Sequence, residues 1–450
     1  MRSFRAPVVS TLLALVLVAS LTSTAGVGMA ATATPTPSSN PCVGTVTDEP
    51  DSRTLVSIQG AQLTEDAYLK RPALLASFAS DGEFVWTRNA SAQGRWWAYD
   101  VDPLPNGNLL FVTTEDRATL VGELDPTENE YVWLERFDGA PNDTENPLVT
   151  DAHDVDKAGD ELVIADKGEG HERLLVYNRT RDEVAWEWRF ENHTDRFPKR
   201  GGGPEGDWTH LNDVDRVNVS QSDAVDAEGE WFMASVRNFD TVAFVNRSSK
   251  EVEVTLGGDG NHDVLRRQHN PDHMWGPNGE HTVLVADSLN DRVVEYEYDG
   301  SEWERVWSVT GFDEPRDADR LPNGNTLITD RMGHRVVEVT PTGEIVWGVY
   351  TPYEPYDAER GAPSSNGPTM REHGIEGRYV ATGAAEFAEE DVEACSDALF
   401  SFAPSKLDVV AADAVDRDVH RGESVPVVPF AVGGAVALLV AGAAVYRYRG

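Results

Sequence analysis

The feature that most constrains this chain is a short acidic motif that returns at long intervals. Asp100-Val-Asp102, Asp154-Val-Asp156, Asp213-Val-Asp215 and Asp317-Ala-Asp319 open four segments, and Asn270-Pro271-Asp272 fits as a degenerate fifth. Their first positions lie 54, 59, 57 and 47 residues apart. A period near fifty marks repeated units that cannot bury their apolar faces alone and must stack on neighbours. Each opening leads into a β-rich run, such as Asn108 to Thr113, Glu161 to Asp166 or Thr282 to Asp287. A second strand follows, then a third that carries Trp86, Trp133, Trp186, Trp307 or Trp347; the unit opened by Asp213 has Val252 and Val254 there. Pro-Asn-Gly-Asn at Pro105 and again at Pro322 supplies tight turns between strands. Four short strands per unit without a helical period predict an all-β fold, a six-bladed β-propeller. Five units are nearly complete. The sixth is expected to combine later strands near Ala73 to Trp86 with a C-terminal strand near Gly377 to Thr382, which closes the ring and removes sheet edges.

The ends place the propeller between export signals. Residues 1–31 begin with Arg2 and Arg5, then run uncharged and mostly apolar, a signal peptide or an N-terminal anchor. Residues 32–54 read as a linker that carries Cys42, 55–402 as the propeller and 403–424 as an acidic stalk. Residues 425–446 are apolar for long enough to form a transmembrane helix, and the basic tail 447–450 belongs in the cytoplasm. The propeller is therefore expected on the extracellular face of the cell membrane. Cys42 and Cys395 are the only cysteines, and an exported chain favours a disulfide between them. Sequons at Asn89, Asn142, Asn178, Asn192, Asn218 and Asn246 favour surface glycosylation.

The charge narrows the partners. With 77 acidic against 38 basic residues the net charge is -39, which repels nucleic acid and anionic lipid. Twelve tryptophans argue against disorder, so the acidity reads as solubility in high salt, a halophilic trait.

Comparison among the repeats separates scaffold from function. The D-x-D and Trp positions recur, and blade packing explains them first; a cation in an Asp-lined channel is the other reading. The residue just before each D-x-D does not recur: Tyr99, His153, Asn212, His269 and Arg316. Propeller symmetry stacks these at one mouth of the channel. A second variable column follows the second strand: Glu115, Lys167, Arg237, Ser288 and Arg331. His210, two before Asn212, shares its face if the strand is regular. Histidines, an amide and several cations around one axis make an anion site with candidate nucleophiles, or else a polar channel lining. Zn²⁺ or Cu²⁺ on the histidines is disfavoured by the neighbouring cations, so no metal is expected there. His273 is ambiguous; His171, His193, His262, His281, His334, His373 and His420 read as surface.

At these motifs the chain resembles the arylsulfate sulfotransferases, nucleotide-independent propeller enzymes, and among them the acidic halophilic archaeal members. Asp207-Trp-Thr-His210-Leu-Asn212 looks like their Trp-x-His-x-Asn segment, Ser235-Val-Arg237-Asn238 like their Ser-x-Arg-Asn strand, and Gln268-His269 like their Gln-His segment. The resemblance implies transfer of a sulfuryl group from a phenolic sulfate ester to a phenol through a sulfohistidine at His269. It implies Arg237, His210 and Asn212 on the sulfuryl oxygens, His153 as acid or base, and no cofactor. Arg316, Arg331, Lys167 and Tyr99 complete the expected substrate contacts. The chain departs from the pattern at Asp213, where the family has Ser, and at Asn270-Pro271, where it has Asp; no Lys-Thr pair matches, and Arg331 stands nearest in role. A different class also has signals. Val285 to Tyr296 and Thr329 to Val339 look like NHL repeats, and the late tryptophans resemble quinoprotein-like propellers. A non-enzymatic surface propeller that binds a glycan, peptide or sulfated ligand is the alternative.

Overall fold

The structure is a computed structural model that describes residues 40–402 apart from 64–67, 90–96, 116–117, 169, 200–206, 220–228, 361–366 and 385–388. The signal or anchor segment, the stalk and the C-terminal apolar span lie outside the described residues. Among the described residues no helix is long and apolar enough to cross a membrane.

Six sheets form six blades, each with four antiparallel strands, and in five of them these strands run in sequence order from the axis outward. Blade 1 runs through Ala98–Pro103, Leu109–Glu115, Ala118–Asp125 and Glu130–Phe137. Blade 2 begins at Val155–Ala158, blade 3 at Leu211–Asn218, blade 4 at His269–Trp275 and blade 5 at Pro315–Arg320. Blade 6 is composite. Its inner strand is Pro355–Arg360, and its outer three are Thr54–Ile58, Leu74–Phe78 and Phe84–Asn89. The C-terminal contribution is thus Pro355–Arg360 and not the segment near Gly377. Asp357-Ala-Glu359 is the sixth acidic motif, with Glu in place of the second Asp. Gly377–Val380 instead adds a parallel fifth strand to the outer edge of blade 4, beside Trp303–Thr310. Val43–Val46, inside the expected linker, covers the outer edge of blade 5 by pairing with Ile345–Tyr350. Both additions cap unpaired edges, which otherwise template aggregation.

Apolar side chains gather between blades rather than within them. Six clusters sit at the six junctions; one joins Val163, Leu174 and Trp188 of blade 2 to Phe232, Ala234 and Val245 of blade 3. Three of the recurrent tryptophans latch these junctions. Trp186 Nε1 donates to the Arg247 carbonyl at 2.8 Å, Trp307 to Pro341 at 2.8 Å and Trp347 to Ser80 at 2.8 Å, each in the next blade. Blade 3 lacks the tryptophan, and there the latch reverses: Trp303 of blade 4 donates back to Thr255 of blade 3 at 2.9 Å. A buried indole N–H needs such a partner, so the latch fixes blade spacing as well as burying area. The Cys42–Cys395 disulfide forms, joining the segment before Val43–Val46 to the helix Glu389–Phe402. It sits in the cluster shared by blades 5 and 6, where the ring closes.

Candidate functional site

A regular strand cannot aim both the variable column and the D-x-D motif at the axis, because the two sets are offset by an odd number of residues. A bulge resolves this. The inner-strand register shifts between Ala98 and Val101, Leu211 and Asp213, His269 and Asp272, and Pro315 and Asp317. Each shift falls at the variable residue or the motif, and a bulge re-aims the side chain it carries. In four blades a left-handed residue stands two positions before the column: Asp151, His210, Arg267 and Glu314, with φ of 55, 47, 49 and 49°. The strand containing Asn212 therefore starts at Leu211, and His210 reaches the site from a turn, not from a shared strand face.

The first column converges. The Tyr99 ring stacks on His153 at 3.9 Å, and His153 meets His210 edge-on at 5.1 Å. Tyr356, the sixth blade's member of the column, lies 5.0 Å from Tyr99 and 6.1 Å from His269 between ring centres. It escaped the sequence reading with its blade, although the Asp357-x-Glu359 motif beside it was the available signal. The Arg316 guanidinium presses against the His269 ring and contacts both nitrogens. All six residues are buried, as is Arg237.

His269 is held in one tautomer. Ser288 Oγ donates to the Pro315 carbonyl at 2.7 Å, so it accepts from His269 Nδ1 at 2.9 Å; the Arg267 carbonyl also accepts from Nδ1 at 3.1 Å. Nδ1 then carries the proton and Nε2 keeps its lone pair. Burial first, then the charges of Arg316 and Arg237 and the nearby His210 and His153, hold its pKa well below the usual histidine range. The ring is neutral at pH 7. Asn212 Nδ2 donates to the Gln268 carbonyl at 3.0 Å, steadying the peptide before His269. His210 Nδ1 meets Asp207 at 2.7 Å, and Asn238 Nδ2 donates to the Asp207 carbonyl at 2.6 Å.

Arg237 differs from the other cations. Its Nε and Nη1 are buried without a hydrogen-bond partner. A buried guanidinium with idle donors is an anion site in waiting, since such donors are normally paired. Lys167 is tied to Asp151 at 2.6 Å and approaches His153 Nε2 at 3.4 Å. His153 Nδ1 faces the Tyr356 hydroxyl at 3.2 Å, and Tyr99 donates to Asp151 at 2.8 Å. Arg331, another of the expected substrate contacts, is held between carboxylates. Its Nε and Nη2 lie 2.7 and 2.6 Å from Glu354, and Nη1 lies 2.7 Å from Glu314, so carboxylates occupy its fork. Glu314 stays ionised: burial would raise its pKa, but Arg331, Arg316 and Arg237 bring it below the usual value. Glu115 turns outward onto Arg136 at 3.0 Å. His281 is buried rather than on the surface. It meets His273 at 2.8 Å and stacks on Trp231, away from this site.

No protein-family model matches the chain, and no curated protein matches it. Many solved structures show a likeness. A protein of unknown function from Bacteroides caccae is 15% identical with a TM-score of 0.44, over 66% of this chain and 93% of its own. A functionally unknown protein from Desulfotomaculum acetoxidans is 11% identical, TM-score 0.40, over 72% and 89%. A virginiamycin B lyase from Staphylococcus aureus is 9% identical, TM-score 0.38, over 69% and 87%. The fold rests on the strand pairing above and not on these likenesses.

Proposed function

We propose that the protein transfers a sulfuryl group from an aryl sulfate to a phenol through a sulfohistidine at His269. The observation that carries this reading is a neutral histidine of fixed tautomer beside Arg237, whose buried donors lack partners. Nε2 attacks sulfur; the N–S bond forms as the S–O bond to the aryl group breaks, and the electron pair leaves on the phenolate oxygen. His153, backed by Lys167 and Tyr356, is the group that protonates this oxygen. Arg237 and Arg316 take the sulfuryl oxygens, and Arg316 leaves the imidazole as it does so. In the second half the acceptor phenol gives its proton to His153, its oxygen attacks sulfur, and the pair of the N–S bond returns to Nε2. The donor supplies the activated group, so the reaction asks for no cofactor. The disulfide supports placing this chemistry outside the cell, beside the membrane that the sequence ends imply.

A propeller that merely bound a sulfated ligand would use the arginines but would not need His269 held with its lone pair toward them. The test uses the purified full-length chain in high salt. Intact-mass analysis with a chromogenic aryl sulfate alone is expected to show one sulfuryl adduct on wild type and none on His269→Ala. Wild type and variant that behave alike, without an adduct, refute the enzyme and leave the binder.

A further inference from the structure

Below the histidine layer the axis changes character. A cavity of about 290 Å³ is lined by eleven carboxylates from all six acidic motifs, with Lys157 as the one lysine and Asn270 as the one amide. Part of this lining is scaffold. Asp154 accepts from the Val214 N–H of the next blade at 2.6 Å, Asp317 from Ala358 at 3.2 Å and Asp357 from Val101 at 2.8 Å. These three first-position Asp residues thus hydrogen-bond the middle residue of the following motif.

Between blades 3 and 4 this bond cannot form, for a chemical reason. The middle residue there is Pro271, which has no N–H. Asp213 Oδ1 is left buried without a partner, on a residue only 7% exposed. The neighbouring Asn270, 9% exposed, also has a buried Oδ1 without a partner and lines the same cavity. An amide oxygen is independent of the acidic cluster, and an oxygen acceptor left idle beside carboxylates calls for a donor or a cation.

We propose that the axial cavity binds a hydrated divalent cation of the magnesium class, centred on Asp213, Asp215, Asp272 and the Asn270 amide oxygen. The donor set is all oxygen, which selects hard cations. Among the described residues no three His, Cys, Asp or Glu side chains are disposed to hold a bare metal ion. An ion that keeps its own water shell suits that spacing, and magnesium gives up water reluctantly. The volume suits it too: at roughly 30 Å³ per water the cavity has room for about ten, and a six-water shell fills over half.

The test strips the full-length chain of metal with a chelator and titrates it with MgCl2 by calorimetry in KCl at matched ionic strength. One saturable site per chain is expected, with a rise in Tm on saturation. Asp215→Asn/Asp272→Asn is expected to bind at least tenfold more weakly. Relief of repulsion should make that variant melt above wild type without magnesium, with no further rise when magnesium is added. Pro271→Ala restores the N–H that Asp213 lacks and is expected to weaken binding several-fold with an unchanged circular dichroism spectrum. Binding that never saturates, or equal affinity in the double variant, overturns the proposal. So does CaCl2 binding where MgCl2 is inert, since that requires direct ligation. None of these readouts depends on sulfuryl transfer.

Discussion

Replacing Arg237 with methionine separates a catalytic guanidinium from a structural one, because the two roles predict opposite signs. The side chain is 3% exposed, and its Nε and Nη1 have no partner. Each idle buried donor costs on the order of 1–3 kcal/mol, and an apolar replacement of similar volume is often stabilising. Loss of the favourable field at Glu314 is cushioned by Arg331 and Arg316, which remain. The expected net is a gain of about 2 kcal/mol; with an unfolding entropy of about 2.1 cal/mol/K per residue over ~350 residues, that raises Tm by about 3 °C. Transfer from a chromogenic aryl sulfate should meanwhile fall by about 10²–10³, the usual consequence of removing a donor from developing charge. One cation beside His269 is also gone, so the acid limb of the rate profile should move to higher pH. Scanning calorimetry in high salt and initial rates against pH measure all three. A variant that melts below wild type would refute the idle-donor argument, and one that melts higher with full activity would refute the catalytic role.

Two further outcomes follow from the same geometry. The axial carboxyls have folded-state pKa values above their unfolded ones, Asp154 at about 7, so the folded chain binds more protons than the unfolded one above pH 4. Stability in metal-free buffer should therefore rise as pH falls from 8 to 6.5, read as Tm; below 6.5 the depressed His269, His273 and His281 oppose this, because the unfolded chain then takes up their protons. Cys42→Ser/Cys395→Ser opens a loop of 353 residues and should cost up to about 5 kcal/mol in a denaturant melt, since closing so long a loop removes much unfolded-state entropy.

The blade count was legible in the sequence because Asp and Trp recur for reasons repeated at several junctions. The convergence of the candidate site was legible for the converse reason: Tyr99, His153, Asn212, His269 and Arg316 break the repeat at a position the fold brings together. Two kinds of information were not. Tyr356 belongs to a motif written Asp-x-Glu after an irregular spacing, so its blade was assigned to the wrong C-terminal strand. The pairing of Arg331 with Glu354 and Glu314, far apart along the chain, is the other. Long-range carboxylate pairing leaves no local trace, and neither does the bulge that turns an odd offset into a shared face.

The missing N–H and the candidate nucleophile fall on the same strand. His269 lies between two left-handed residues, Arg267 at φ 49° and Asn270 at φ 34°. Proline at the next position bars the preceding residue from the ordinary helical region, and asparagine tolerates the left-handed alternative. The turn that Pro271 enforces removes the donor that Asp213 would otherwise use, and it also sets where His269 leaves the strand. Such backbone is uncommon and costs of order 1–3 kcal/mol, so it persists only where the surroundings over-determine it. Here Asn212 holds the Gln268 carbonyl, Ser288 and the Arg267 carbonyl hold the imidazole, and Arg267 N–H is held by Asp240 at 2.8 Å. One substitution pair, Asn270-Pro271, thus links the aim of the histidine above to the open acidic cavity below, and a change at either layer acts on both.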